Sequence, residues 1–355
     1  MLLEASNDAE PRNCVGGRRS WQLDICRCLA LAHGRVSVNH QHMKLPLRLL
    51  VACLFVTASP AAASPVLLVD ASTGDILAAQ EAIRSWHPAS LTKLMTAHVA
   101  LLAVRSGTLA MSTSIALSAK AAAQAPSKLG VPPGTSLRLE DALRVMMVKS
   151  ANDVAVAIAE AAGGSEAAFV AAMNAEATRL GMSGTHFVNA NGLHDDRQVT
   201  NARDMAVLML AVLSYHTDYT DLFRTSAVVV NSRTLKNTNK LVDDYAGLEA
   251  TKTGYVCASG FNVAVAAVRG GRRVVGVVLG APSAATRTRI AKELLDTGFA
   301  GATGSIGNLQ GVRASGPTPG TDLRRLKCGR QVPAVPRTAK TAGDGKPTAV
   351  LQLRR

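Results

Sequence analysis

Apolar residues fall in short runs near both ends of the central chain and at helical spacing between them. Residues 66–70 (VLLVD) and 76–79 (ILAA) flank the polar, Gly-containing link 71–75, a pattern that predicts a β-hairpin. A helix is expected from about Pro88 through Val104, with Gly107 as its stop. Residues 111–136 carry no single period, and the VPPG of 131–134 reads as a turn. Helical spacing returns at 139–148, at 153–162 before Gly163-Gly164, at 166–180 behind Ser165, and at 200–213 with Thr200 as the expected N-cap. Beyond about 225 the chain turns to β, with short strands at 228–230 and 248–255. A hairpin at 261–268 and 273–279 follows, linked by Arg269-Gly270-Gly271-Arg272, and then a last helix over 284–299. Strands at both ends with helices between them predict an α+β fold, its antiparallel sheet joining early and late segments around a mostly helical insert.

Composition adds a second layer. The chain is 48% hydrophobic but only 3% aromatic, so its core is aliphatic and rich in Ala. The net charge of +14 is uneven: residues 301–355 hold ten Lys/Arg against two Asp/Glu, and residues 1–63 hold seven against four. The nearly balanced body and few aromatics argue against nucleic-acid binding. Residues 301–355, rich in Pro and Gly, are expected to form a flexible basic tail in loose electrostatic contact with an anionic envelope or membrane surface. Residues 43–63 read as a secretory signal, with Lys44 and Arg48 ahead of the apolar stretch 49–58 and Ala61-Ala62-Ala63 before Ser64. That signal implies export to the periplasm. Residues 1–42 lack periodicity and precede the signal, so Met43 is the expected true start and 1–42 a non-native or disordered extension. A catalytic body over 64–300 follows. It and the tail share two cysteines, Cys257 and Cys328, which allow one disulfide or two thiols.

Three short stretches carry candidate chemistry. Ser90-Leu91-Thr92-Lys93 puts a hydroxyl and an amine one helical turn apart, at a helix start whose free N–H groups favour developing negative charge. Ser150-Ala151-Asn152 is expected in a loop between helices, where a hydroxyl relays protons and an amide both donates and accepts; taken alone it reads equally well as an N-cap. Lys252-Thr253-Gly254 lies on a late strand, where its charge and hydroxyl suit a carboxylate and its glycine lets a ligand backbone approach. The charge of Lys252 is also expected to depress the pKa of Lys93. His186, His194, Asp195 and Asp196 share a Gly/Asn-rich loop and read as solvated loop polarity, so no metal and no cofactor are expected.

The three stretches occur in the order found in penicillin-binding proteins and class A β-lactamases. The chain from about 64 to 299 resembles the low-molecular-mass D-alanyl-D-alanine carboxypeptidases. The likeness extends to 69–74 (VDASTG), 87–96 (HPASLTKLMT), 185–193 (THFVNANGL) and 252–255 (KTGY). It implies that Ser90 is acylated, that Lys93 is its base, that Ser150 relays protons and that Asn152 holds the acyl-side amide. It further implies that Lys252 and Thr253 bind the terminal carboxylate with help from Arg287, and that the N–H groups of Ser90 and Tyr255 form the oxyanion hole beside Gly254. The implied substrates are peptidoglycan stem peptides, with β-lactams as covalent inhibitors. D,D-endopeptidase, class A-like β-lactamase and non-catalytic envelope-binding readings stand as alternatives. The middle motif is S-A-N and not the S-D-N usual in class A β-lactamases, and the loop after Met182 offers no glutamate.

Overall fold

The computed structural model describes residues 64–301, 304–324 and Cys328. The expected extension 1–42, the signal 43–63 and the rest of the tail lie outside these residues. The elements run β1 (Val66–Asp70), β2 (Ile76–Gln80), α1 (Thr92–Arg105), β3 (Ser114–Ala116), α2 (Ala119–Ala122), β4 (Ser136–Arg138), α3 (Leu139–Lys149), α4 (Asn152–Gly163), α5 (Glu166–Arg179) and α6 (Ala202–Tyr215). There follow β5 (Ala227–Val230), β6 (Arg233–Lys236), α7 (Leu241–Asp244), β7 (Leu248–Val256), β8 (Gly260–Arg269), β9 (Arg272–Ala281) and α8 (Ala284–Ala300).

The main sheet has the order β2-β1-β9-β8-β7 and every neighbouring pair is antiparallel. Early strands thus pair with late ones, Val66 opposite Val278 and Asp70 opposite Val274. The sheet is covered on both faces. Leu67, Val69, Val275, Val277 and Leu279 join the large cluster formed with the helical insert. Alternate residues Leu68, Val263, Val265, Val274 and Val278 pack with Ala291 and Leu295 of α8. Burial on both sides explains why these strands read as unbroken apolar runs and not as an alternation.

Caps set the helix boundaries. Ser165, expected at the start of its helix, accepts the N–H of Ala168, and Ser283 accepts that of Thr286. The cap of α6 is Asn201, whose Oδ1 accepts the Asp204 N–H at 2.8 Å, and not Thr200. Thr200 instead pairs its backbone with Trp86.

The predicted tail is the main correction. Residues 304–324 form a strap along the body: the Ile76 N–H donates to the Gly307 carbonyl, the Ile306 N–H donates to the Ile76 carbonyl, and Leu309 and Leu323 are buried. The buried Arg203 side chain donates to the Leu309 carbonyl through Nε and Nη2, and the Leu323 N–H donates to the Ala258 carbonyl. A Cys257–Cys328 disulfide fastens the far end. Low periodicity hid this segment, because an irregular strap held by isolated Leu anchors and backbone bonds has no repeat to detect. Its residues belong to the body.

Candidate active site

Residues Ala89–Leu91 form one turn of 3₁₀ helix leading into α1, so Ser90 stands at the head of a long buried helix. The turn is tightly held from three sides. Asn262, fully buried on β8, donates through Nδ2 to the carbonyls of His87 and Pro88 and accepts the Gly280 N–H. Gly254 on β7 lies so close that a methyl group there would sit 2.9 Å from the Pro88 oxygen and 3.0 Å from the Ser90 nitrogen. Gly192, at φ +83°, presses on the Ala89 carbonyl from the other side. Ala89 itself has φ +49°, a left-handed conformation that a side chain adopts only when its surroundings enforce it.

Lys93 is fully buried, and its Nζ lies 3.0 Å from Ser90 Oγ. The same amine donates to Asn152 Oδ1 at 2.7 Å and to the Asn191 carbonyl. A neutral amine has two N–H groups and one lone pair; two carbonyl acceptors use the former and leave the latter for the Ser90 hydroxyl. Burial, reinforced by the charge of Lys252, pushes the Lys93 pKa well below its ordinary 10.5, while Asp153 opposes this. The expected effect of Lys252 is present, and desolvation exceeds it.

Ser150 lies in the expected link between two helices, which is only the two residues Ser150 and Ala151 long, and Asn152 is already helical. Ser150 is a single left-handed residue (φ 58°) between α3 and α4, and Asn152 opens α4. This break turns the Ser150 hydroxyl toward Lys252, whose Nζ is 3.0 Å from Ser150 Oγ. Asn152 has both ends engaged, Oδ1 by Lys93 and Nδ2 by the Ala125 carbonyl. Its neighbour Asp153 is buried and accepts the N–H groups of Leu129 and Gly130, which holds the loop that forms one wall.

Lys252, Thr253, Gly254 and Tyr255 lie along β7. Burial first and Arg287 second lower the Lys252 pKa to about 7. Arg287, on α8, is also buried, which lowers its pKa to about 10, and its Nε has no hydrogen-bond partner. A cleft of about 340 Å³ opens between these groups. Ser90, Ser150, Asn152, Thr253, Gly254, Tyr255 and Arg287 line it, and no Asp or Glu does among the described residues. Buried Arg287 in the lining, with Lys252 just behind Ser150 and no carboxylate in the lining among the described residues, makes a site for an anion.

All nine residues predicted for the site therefore converge. Four more that matter were not among them. Gly192 and Asn191 stand in the stretch that resembles the family, Asn262 is a polar residue inside an apolar strand, and Thr238, 3.4 Å from Thr253 through their hydroxyls, carries no sequence signal.

A profile of the D-alanyl-D-alanine carboxypeptidase family matches residues 55–283. The chain is 31% identical over 243 residues to the D-alanyl-D-alanine carboxypeptidase DacF of Bacillus subtilis, covering 67% of this chain and 62% of that protein. It is 33% identical over 239 residues to DacD of Escherichia coli K12, covering 65% and 62%. Among solved structures it is similar to penicillin-binding protein D2 of Listeria monocytogenes in its cefotaxime-bound form, with TM-score 0.61, 30% identity and coverage of 66% of this chain and 96% of that one. The family profile falls on the segment that supplies the nucleophile turn, the α3–α4 break and β7, and the chain belongs to the D-alanyl-D-alanine carboxypeptidase family of peptidases.

Proposed function

We propose that this protein is a serine-type D-alanyl-D-alanine carboxypeptidase that removes the terminal D-alanine from peptidoglycan stem peptides through an acyl-enzyme. The observation that carries this reading is the 3.0 Å contact between Ser90 Oγ and the buried, pKa-depressed Lys93, beside a cleft lined by the buried Arg287 and by Ser150, which Lys252 contacts from behind. Ser90 Oγ attacks the carbonyl of the penultimate residue while Lys93 takes the hydroxyl proton. The oxyanion meets the N–H groups of Ser90 and Tyr255, and Asn152 positions the acyl-side amide. Ser150 relays the proton that Lys93 took from Ser90 to the departing amine, which returns Lys93 to its neutral form. Lys252, Thr253 and Arg287 hold the carboxylate of the leaving D-alanine. Water then releases the acyl group and regenerates Ser90.

β-Lactams are proposed as covalent inhibitors because their acyl-enzyme uses the same nucleophile. The β-lactamase reading is weaker, since among the described residues no carboxylate lines the cleft to activate the deacylating water. A D,D-endopeptidase reading has one observation in its favour. A second hollow, lined by Lys240, Arg289 and Lys292, shares Thr238, Ala284 and Arg287 with the cleft and leaves room beyond the carboxylate position. The signal-like segment 43–63 supports action in the periplasm, and the remaining basic tail supports loose contact with an anionic envelope.

Intact-protein mass spectrometry with penicillin, joined to HPLC of muropeptide products, tests the reading. One penicilloyl adduct on the protein, none on Ser90→Ala, and loss of the terminal D-alanine from monomeric pentapeptides are expected. An adduct that persists on Ser90→Ala overturns the nucleophile, and cleavage of cross-linked dimers alone overturns the carboxypeptidase assignment.

A further inference from the structure

The folded chain brings together residues that the sequence separates. His87, immediately before the nucleophile turn, meets His194 and Asp196 of the loop after Gly192. One ligand atom from each lies within 4.8 Å of the others. The two imidazoles pack edge to face with centroids 4.8 Å apart, and His194 Nε2 is 2.9 Å from Asp196 Oδ1. His186 and Asp195, grouped with these residues by sequence, stand outside the cluster; Asp195 pairs with Arg197.

We propose that His87, His194 and Asp196 bind one divalent transition-metal ion of the zinc type. Three features of the site support this. His87 is buried, and its Nδ1 lies 3.0 Å from the Gln198 carbonyl. That oxygen accepts a proton, which places the N–H on Nδ1 and the lone pair on Nε2; this is the outer contact that orients a metal-binding imidazole. Gly320 of the strap packs against the same end of the ring, and a methyl group on it would lie 2.8 Å from both Cε1 and Nε2, so only glycine leaves the imidazole in this position. Two imidazoles and a carboxylate are a common donor set for such an ion, with a fourth position open to water. Bonds of about 2.0–2.1 Å in a tetrahedral site set ligand atoms roughly 3.4 Å apart. The widest separation closes by about 1.4 Å, a shift within reach because Asp196 is exposed on a loop and His194 is only partly buried. Arg324, 3.2 Å from Asp196, offsets its charge in the metal-free protein and gives way to the ion.

None of the three ligands lines the catalytic cleft. The ion would act on structure, by tying the 194–196 loop and its neighbour Gly192 to the residue that leads into the nucleophile turn. The test is calorimetric titration of zinc into the untagged, metal-free full chain, with Co²⁺ absorption as a report on ligand geometry. We expect one equivalent bound and a tetrahedral Co²⁺ spectrum. His194→Ala and Asp196→Asn should each weaken binding at least tenfold, and Asp195→Asn should not change it. Zinc should raise the melting temperature of the parent protein and not that of Asp196→Asn, whose exposed position keeps its fold intact. Absence of a saturable equivalent, binding that survives both substitutions, or equal loss in Asp195→Asn overturns the assignment.

Discussion

Gly192 approaches Ala89 so closely that a methyl group on Gly192 would lie 2.0 Å from the Ala89 carbonyl oxygen. With φ at +83° the position resists a side chain on backbone grounds as well. Gly192→Ala should therefore shift the turn that carries Ser90 and destabilise the body. Gly254→Ala meets milder contacts of 2.9–3.1 Å and should fold, yet displace Ser90. A misplacement near 1 Å costs about 10²-fold in rate. The expected result is a Gly254→Ala protein with a native circular-dichroism melt and penicillin acylation slowed by roughly that factor. Acylation at the parent rate would mean that the close approach is not needed.

Removing the amine tests the base directly. Lys93→Ala leaves the Ser90 hydroxyl without its proton acceptor, a loss worth about 10²–10⁴-fold. Stopped-flow measurement of penicilloyl formation should show this deficit. Ser150→Ala should retain more acylation by penicillin than by peptide, because a β-lactam keeps its leaving amine tethered.

The two lysines set opposite limbs of the pH profile. Lys93 must be neutral to act, so kcat/KM should rise as pH climbs through its lowered pKa. Lys252 must be charged to hold the carboxylate, and with a pKa of about 7 in the free protein it loses that charge above neutrality. The kcat/KM of a D-Ala-D-Ala peptide should be bell-shaped. Lys252→Arg should flatten the alkaline limb, since a guanidinium stays charged. An unchanged alkaline limb would remove Lys252 from carboxylate binding.

Lys252 should also cost stability. Its pKa is about 7 when folded against 10.5 when free, so between these values the unfolded chain holds the extra proton. Stability then rises with pH across that window, and the full penalty is present below it. At about 1.4 kcal/mol per unit, Lys252→Met should stabilise the fold by up to about 4 kcal/mol at neutral pH. The advantage should shrink toward pH 10, while peptide hydrolysis is lost. Thermal melts at pH 7 and 10 check it; a variant less stable at pH 7 contradicts the buried-charge account.

The strap makes the site of truncation decisive. Ending the chain at 301 removes buried Leu309 and Leu323, each worth about 1.5–3 kcal/mol, and leaves Arg203 without the Leu309 carbonyl. It also strands Cys257, whose bond to Cys328 closes a loop spanning 71 residues and is worth about 4 kcal/mol on chain entropy alone. Truncation at 301 should lower the melting temperature and activity together, whereas truncation just after Cys328 should leave both near the parent values. Equal behaviour of the two would return the strap to the tail.

The sequence by itself determined the residues of the chemistry and the order of the elements. Ser90 and Lys93 are one helical turn apart, so a local rule places them together. The hairpin of β8 and β9 is bounded by a Gly-Gly turn, and unbroken apolar runs marked its strands. Tertiary structure alone decided what depends on distant segments meeting. Lys252 reaches Ser150 across 102 positions, Asn262 braces His87 and Pro88 from 174 or more positions away, and His87 finds His194. Periodicity reports only which face of a segment is buried, and says nothing of which segment covers it. For the same reason residues 304–324 read as tail: their anchors are single leucines and backbone bonds to partners more than two hundred residues distant in the case of β2, and such contacts leave no local pattern.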